Sequence, residues 1–173
     1  MHRKNTLLLI TTLFLGSIAL ANKITEKNWQ KSPEVIEVRK IYEANQKLKK
    51  GWKKQDKVWN YCEPYVDTQR ILITDKKGIA RIYSNSGGSD DSSVNWESHY
   101  DENGKLHFVF ITGGAANGSK LEHRIYFRAN GDRFWEFQKY VEGPGYTFPN
   151  PWPQDQLTTD AIAAFTAVHP CAK

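Results

Sequence analysis

The residues best suited to acid–base chemistry lie close together in one predicted strand. Glu97 and His99 are two positions apart, so on a strand their side chains point to the same face. Arg124 and Tyr126, on a neighbouring strand, are expected on that face too. A carboxylate, an imidazole, a guanidinium and a phenol can together position and move protons. No serine or cysteine lies in a recognised nucleophile motif, so these residues indicate an acid–base group but no particular reaction.

A binding role is the other interpretation of the same face. Aromatic side chains and arginine are the residue types most enriched at the centre of binding interfaces. A sheet face that is both aromatic and charged is also unusual for plain contact with solvent. The predicted binding face, called here the aromatic–cationic face, consists of Glu97, His99, Phe108, Phe110, Arg124, Tyr126, Trp135 and Phe137. The alternative is that a helix or a loop covers this face.

Four strands must position these residues. Segments 94–100, 105–112, 120–128 and 133–140 are rich in β-branched and aromatic residues, which favour strands. Asn-Gly pairs separate them at 103–104, 117–118 and 130–131, and Asn-Gly is a strong hairpin signal. An antiparallel meander is therefore predicted.

The turns also fix the register within each hairpin. Two-residue turns place Glu97 opposite Phe110 and Tyr126 opposite Trp135. They also place Tyr100 opposite His107. The loop at 113–119 does not fix how the two hairpins join, so we choose the join that gathers the more apolar side chains on one core face.

A long helix is predicted at 33–50, because Ser32 can cap it, Pro33 suits its first position and Gly51 follows its end. Its stripe at helical spacing is expected to pack on the more apolar sheet face. The members of this stripe are Val35, Val38, Tyr42, Asn45 and Leu48.

The remaining elements complete an α+β fold. Further strands are predicted at 58–66, 70–74 and 79–84, and the Ser, Gly and Asp-rich segment 85–93 is expected to be a flexible loop. A Pro-rich and aromatic segment at 142–154 is expected to wrap over one side of the sheet. A short helix capped by Thr159 is predicted at 159–168. The fold class is thus an N-terminal helix on a five- to six-stranded antiparallel meander, closed by a short C-terminal helix.

The N-terminus has the pattern of a secretory signal over residues 1–21. Arg3 and Lys4 give a basic start, an apolar run extends from Leu7 to Leu20, and Ala19-Leu20-Ala21 matches a cleavage motif. The apolar run is too short to span a membrane, which takes about 20 residues. We therefore predict a single globular domain at 22–173 that is periplasmic or secreted, without a transmembrane anchor. The formal net charge of +5 is too small to indicate a nucleic-acid partner.

The two cysteines, Cys62 and Cys171, are predicted to form a disulfide, as expected in an oxidising compartment. The alternatives are a catalytic cysteine or a metal-binding pair, but neither cysteine belongs to a CxxC motif or lies beside a cluster of ligands. His107 and His123 fall on the core side of the predicted sheet. Two histidines on adjacent strands can bind a metal, but no third ligand is evident, so we expect hydrogen-bonded histidines and neither a metal nor a cofactor.

Two functions follow from these patterns. The first is a small exported binding protein that holds a protein, a glycan or an envelope component on the aromatic–cationic face. The alternative is a small hydrolase-like enzyme in which His99 and Glu97 lie in a cleft roofed by residues 143–153. The enzyme is the less favoured of the two functions, because the sequence contains no recognised nucleophile motif.

Overall fold

A single antiparallel sheet organises the molecule. The computed structural model describes residues 23–60, 67–169 and 171. Helix α1 (Pro33–Leu48) precedes the sheet and helix α2 (Ala161–Thr166) follows it. The strands are β1 (Lys53–Asn60), β2 (Asp67–Thr74), β3 (Ala80–Gly88), β4 (Ser92–Tyr100), β5 (Leu106–Ala115), β6 (Lys120–Phe127) and β7 (Arg133–Glu142). They lie side by side in sequence order. The α+β class is confirmed, and the described sheet has seven strands rather than five or six.

Two predictions concern residues outside the described ranges. The signal segment 1–21 is one, and it stays a prediction. The disulfide is the other, because Cys62 lies in the undescribed segment 61–66.

The Asn-Gly pairs lie in tight turns as predicted, but the turns at 102–104 and 129–131 have three residues instead of two. The Asp101 N–H donates to the Lys105 carbonyl, and the Arg128 N–H donates to the Asp132 carbonyl. Gly104, Gly118 and Gly131 adopt φ values of 77°, 83° and 91°, a region that side chains with a Cβ rarely enter. Glu97 pairs with Phe110 and Tyr126 pairs with Trp135, as predicted, because a bulge in each hairpin offsets the third residue of its turn. A bulge between His99 and Tyr100 shifts the end of that hairpin by one residue. Tyr100 therefore pairs with Leu106 instead of His107.

The predicted loop at 85–93 is wrong, and β1 begins earlier than the predicted 58–66. Strands β3 and β4 continue through most of the loop segment, with Gly87 opposite Val94 and Gly88 opposite Ser93. Strand β5 pairs on the other side, where Gly113 lies opposite Val94. Strand β4 is thus paired on both sides over Ser93 and Val94, and this pairing outweighs the low strand propensity of the glycines and serines.

Helix α1 packs on the aromatic–cationic face, so the prediction that it covers the more apolar face is wrong. Val35 and Val38 form a buried cluster with Phe108 and Tyr126. Asn45, within the same stripe, is fully buried and its Nδ2 donates to the carbonyl oxygens of Arg81 and Tyr100, both at 3.0 Å. A stripe that contains a buried amide matches a face that offers hydrogen-bonding groups.

The C-terminal segment 143–169 covers the more apolar face. Trp152, Leu157 and Phe165 are buried there against the core residues of the sheet. Those core residues include Tyr83, Tyr100, Val109, Ile111, Leu121, Ile125 and Phe127. The Pro-rich segment therefore wraps over the sheet as predicted.

Helix α2 is shorter than predicted, and Asp160 rather than Thr159 caps it. The Asp160 carboxylate accepts the Ala163 N–H at 2.9 Å. At the other end, Lys57 Nζ donates to the Phe165 carbonyl at 2.8 Å and Arg70 donates to the Ala164 carbonyl at 2.9 Å. Cations at a helix C-terminus suit its free carbonyl groups.

One buried polar cluster fastens the C-terminal segment to the sheet. It consists of His123, Arg133, Glu136 and Trp152 and is called the Glu136 cluster. Glu136 Oε1 lies 2.5 Å from His123 Nε2 and accepts the Trp152 backbone N–H at 2.7 Å. Arg133 donates to Glu136 Oε2 and to the Trp152 carbonyl, both at 2.8 Å. His123 is thus a hydrogen-bonded core residue, as predicted.

Within the described residues, no helix has the length and apolar character needed to cross a membrane.

Candidate functional site

The residues predicted for the aromatic–cationic face do share one face of the sheet. Phe108 pairs with Tyr126 and Phe110 pairs with Arg124, so the join chosen between the hairpins is confirmed. Helix α1 covers the centre of this face, where Phe108 and Tyr126 are buried. Its outer parts are only half-buried. The face is therefore partly covered and partly open.

A cavity of about 210 Å³ lies between α1 and this face. Its walls come from both layers, and they consist of Trp29, Val38, Arg39, Tyr42, Glu43, Phe108, Phe110, Arg124 and Tyr126. The four residues from the sheet were all predicted for the site. The helix-side residues were missed because α1 was expected on the other face.

Aromatic rings support one another around the cavity. The ring centres of Trp29 and Tyr126 are 6.0 Å apart, and Tyr42 meets Phe108 edge-on at 5.5 Å. Phe137 does not line the cavity but stacks on Trp29 at 5.8 Å. Such contacts hold the rings in place. Preformed aromatic walls suit a flat, apolar part of a ligand.

Two arginines line the cavity, Arg39 on the α1 side and Arg124 on the β6 side. Arg124 stacks on Phe110 at 4.8 Å and donates to Glu122 at 2.9 Å. Burial raises the pKa of Tyr126 to about 12, although the positive charges of Arg124 and Arg39 favour its ionised form. The Tyr126 hydroxyl thus stays protonated at neutral pH and lies within electrostatic reach of both guanidinium groups.

The half-buried Glu97 and the buried His99 form a pair that fastens α1 to the sheet. His99 Nε2 lies 2.8 Å from Glu97 Oε1, which also accepts the Gln46 amide of α1 at 2.9 Å. His99 is completely buried behind Tyr42, whose ring centre is 4.8 Å away. The predicted cleft with a roof at 143–153 is wrong, because that segment lies on the opposite face of the sheet.

We expect this pair to make stability depend on pH in the acid range. Burial alone would raise the pKa of Glu97, but the hydrogen bond and charge of His99, helped by Lys49 and Gln46, hold it below its ordinary value. A carboxyl group with a lowered folded-state pKa stabilises the fold above its unfolded pKa, about 4.3 for glutamate. That stabilisation is lost as the pH falls through the folded-state pKa.

Urea denaturation at a series of pH values measures the effect. The wild type should lose stability below about pH 4.5, and Glu97→Gln should lose less over that range. Asp75, Asp101 and Glu136 also have lowered pKa values, so part of the pH dependence should remain in the variant. An identical pH dependence in both proteins would contradict the assignment to Glu97.

Within residues 23–60, 67–169 and 171, no group of three or more His, Cys, Asp or Glu side chains is arranged to hold a metal ion. The candidate site is therefore described by its aromatic walls and its two arginines. Comparison of the chain with protein-family models, with curated proteins and with solved structures gave no significant match.

Proposed function

We propose that this chain is a small exported binding protein, periplasmic or secreted, that holds a ring-sized part of its ligand in the cavity between α1 and the sheet. The observation that carries this proposal is the cavity itself, with aromatic walls from both layers and an arginine on each side. A protein, a glycan or an envelope component can each present a group of that size. The cavity therefore limits the size of the group that enters it, but it does not limit the size of the whole partner.

The volume sets the scale of that part. A dry apolar cavity of about 150 Å³ is large enough to hold benzene. A cavity of about 210 Å³ accommodates one ring with a short substituent. Larger partners must keep most of their mass outside, next to the half-buried rim.

The position of the histidine supports binding over hydrolysis. His99 is completely buried and its Nε2 is engaged by Glu97. It meets the cavity only through the rings of Tyr42 and Phe108, against which it packs. A general acid or base must come within hydrogen-bonding distance of its substrate, and this arrangement keeps the imidazole behind the aromatic wall.

We expect Phe110→Ala to weaken binding of ring compounds to the cavity at least about fivefold, because it removes one aromatic wall and the surface on which Arg124 stacks. The measurement is a titration with a library of single-ring compounds, followed by NMR through the indole N–H signal of Trp29, which lines the cavity. Phe148→Ala is the matched control, because Phe148 is also half-buried but packs on the opposite face beside Gly113.

The control variant should bind as the wild type does. Compounds that shift the Trp29 signal equally in all three proteins would contradict the cavity as the site. So would a library in which no compound shifts it in the wild type.

A further inference from the structure

The cavity contains an arginine that forms no ion pair within the part of the chain that the structure describes. Arg39 lies on α1 and is half-buried in the cavity wall. Its hydrogen bonding within the described residues is limited to one long contact of 3.5 Å with the Gln30 carbonyl. Glu43 is one helical turn further on, yet it is exposed and forms no ion pair with Arg39 within 4.0 Å. The guanidinium therefore retains most of its N–H donors for a ligand.

Arg124 supplies a second guanidinium from the opposite wall. One of its nitrogens donates to Glu122 at 2.9 Å, and its plane stacks on Phe110. A guanidinium has five N–H donors, so a single acceptor leaves several of them available. Stacking on Phe110 fixes the orientation of the guanidinium group. The Arg124 side chain therefore loses less conformational entropy when a ligand binds.

The balance of charge decides which ligand suits this arrangement. Two arginines and one glutamate, Glu43, line the cavity, while Glu122 is already engaged by Arg124. The Tyr126 hydroxyl adds a neutral donor near both guanidinium groups. The cavity therefore offers more donors than acceptors, next to walls that favour a flat apolar body. Arginine forms two parallel hydrogen bonds with a carboxylate or a phosphate, and the carboxylate is the smaller group beside a ring in a cavity of about 210 Å³.

We infer that the ring-sized ligand carries a carboxylate, which Arg39 and Arg124 hold from opposite walls while the ring packs among Trp29, Phe108 and Phe110. This inference rests on the proposed function, since it names the chemistry of the group that enters the same cavity. Both an aromatic acid and a sugar acid contain such a group. The aromatic walls favour the aromatic acid.

Isothermal titration of the full chain with phenylacetate and with phenylacetamide tests the inference, because the two probes share a shape and differ in charge. We expect phenylacetate to bind at least about tenfold more tightly, as charge-assisted pairs do. Arg39→Gln should remove that preference, and Arg39→Lys should restore part of it. Glu43→Gln should strengthen phenylacetate binding, because it removes the only acidic side chain that lines the cavity within the described residues.

Lys40→Gln is the matched control. Lys40 is the next residue on α1, is exposed and pairs with Glu37, so its loss removes a similar charge outside the cavity. It should leave phenylacetate binding unchanged. Circular dichroism checks that each variant is folded.

Glucuronate is the third probe, and it distinguishes a sugar acid from an aromatic acid as the ligand. If glucuronate binds in an Arg39-dependent manner and phenylacetate does not, the carboxylate is supported and the ring is a sugar. Equal binding of phenylacetate and phenylacetamide would overturn the carboxylate but leave the proposed function standing. If neither acid binds, the inference is overturned, and the NMR screen with Phe110→Ala and Phe148→Ala then decides the proposed function by itself.

Discussion

Glu136→Ala is expected to lower the free energy of unfolding by about 3–5 kcal/mol, because it removes the acceptor that the whole Glu136 cluster shares. In the wild type this carboxylate lies 2.5 Å from His123 Nε2 and accepts bonds from Arg133 and the Trp152 backbone. Its removal takes this acceptor from the buried imidazole and from the Trp152 backbone N–H, while Arg133 keeps its bonds to the Trp152 carbonyl and to Gln154. Partners that are left unpaired in the interior account for most of the cost.

Urea denaturation of the two proteins measures this loss. Glu142→Ala is the control on the same strand, since Glu142 pairs with Lys120 and both side chains are largely exposed. An exposed pair contributes about 0–1 kcal/mol, so the control should remain close to the wild type. A loss below about 1 kcal/mol for Glu136→Ala would mean that the cluster does not hold the C-terminal segment on the sheet. Limited proteolysis within 143–153 gives a second readout, because release of that segment should expose it to cleavage.

Asn45→Asp is expected to cost at least about 3 kcal/mol and to loosen α1 from the sheet. The wild-type amide donates both of its protons, one to the Arg81 carbonyl and one to the Tyr100 carbonyl. An ionised aspartate has nearly the same shape but puts an acceptor oxygen in the place of Nδ2, where it faces both carbonyls. Two donors are lost and a buried negative charge is added.

The control for Asn45→Asp is Gln46→Ala, the next residue on the helix. Gln46 also reaches the sheet, through Glu97, but it is only half-buried and makes one such hydrogen bond. We expect it to cost about 0.5–1.5 kcal/mol in the same urea assay. Similar losses for the two variants would contradict the role of Asn45 as the main polar anchor of α1. Loosening of α1 should also broaden the Trp29 indole signal, because Trp29 precedes the helix and lines the cavity beneath it.

Most of the sheet could be predicted from local sequence. Each Asn-Gly pair marks the position of a turn, and that position places the two strands of a hairpin opposite each other. Glu97 therefore meets Phe110 and Tyr126 meets Trp135 as predicted. The third residue of each turn and the bulges beside Tyr100 and Phe127 could not be predicted in this way, because an Asn-Gly pair suits both a two-residue turn and a three-residue turn with a bulge.

The assignment of the two covering layers failed for a different reason. Matching the helix to the more apolar face assumes that the helix is the main source of apolar surface. In this chain the C-terminal segment supplies more of it, through Trp152, Leu157 and Phe165. A signal was present in the helix itself, since Asn45 lies within the stripe and a buried amide needs polar partners.

The sheet half of the candidate site was predictable, and the helix half was not. Phe108, Phe110, Arg124 and Tyr126 follow from strand alternation and register alone. Arg39 and Glu43 become part of a site only when the position of α1 is known, because nothing local distinguishes them from other charged residues of an exposed helix.

The order of the strands has a consequence for how the chain is tied together. Every strand pairs with its neighbours in sequence, so the sheet closes only short loops and loses little chain entropy in forming. The long-range connections come from the two covering layers. Asn45 reaches Tyr100 across 55 positions, and Lys57 reaches Phe165 across 108. The layers, more than the sheet, therefore join distant parts of the chain into one cooperative unit.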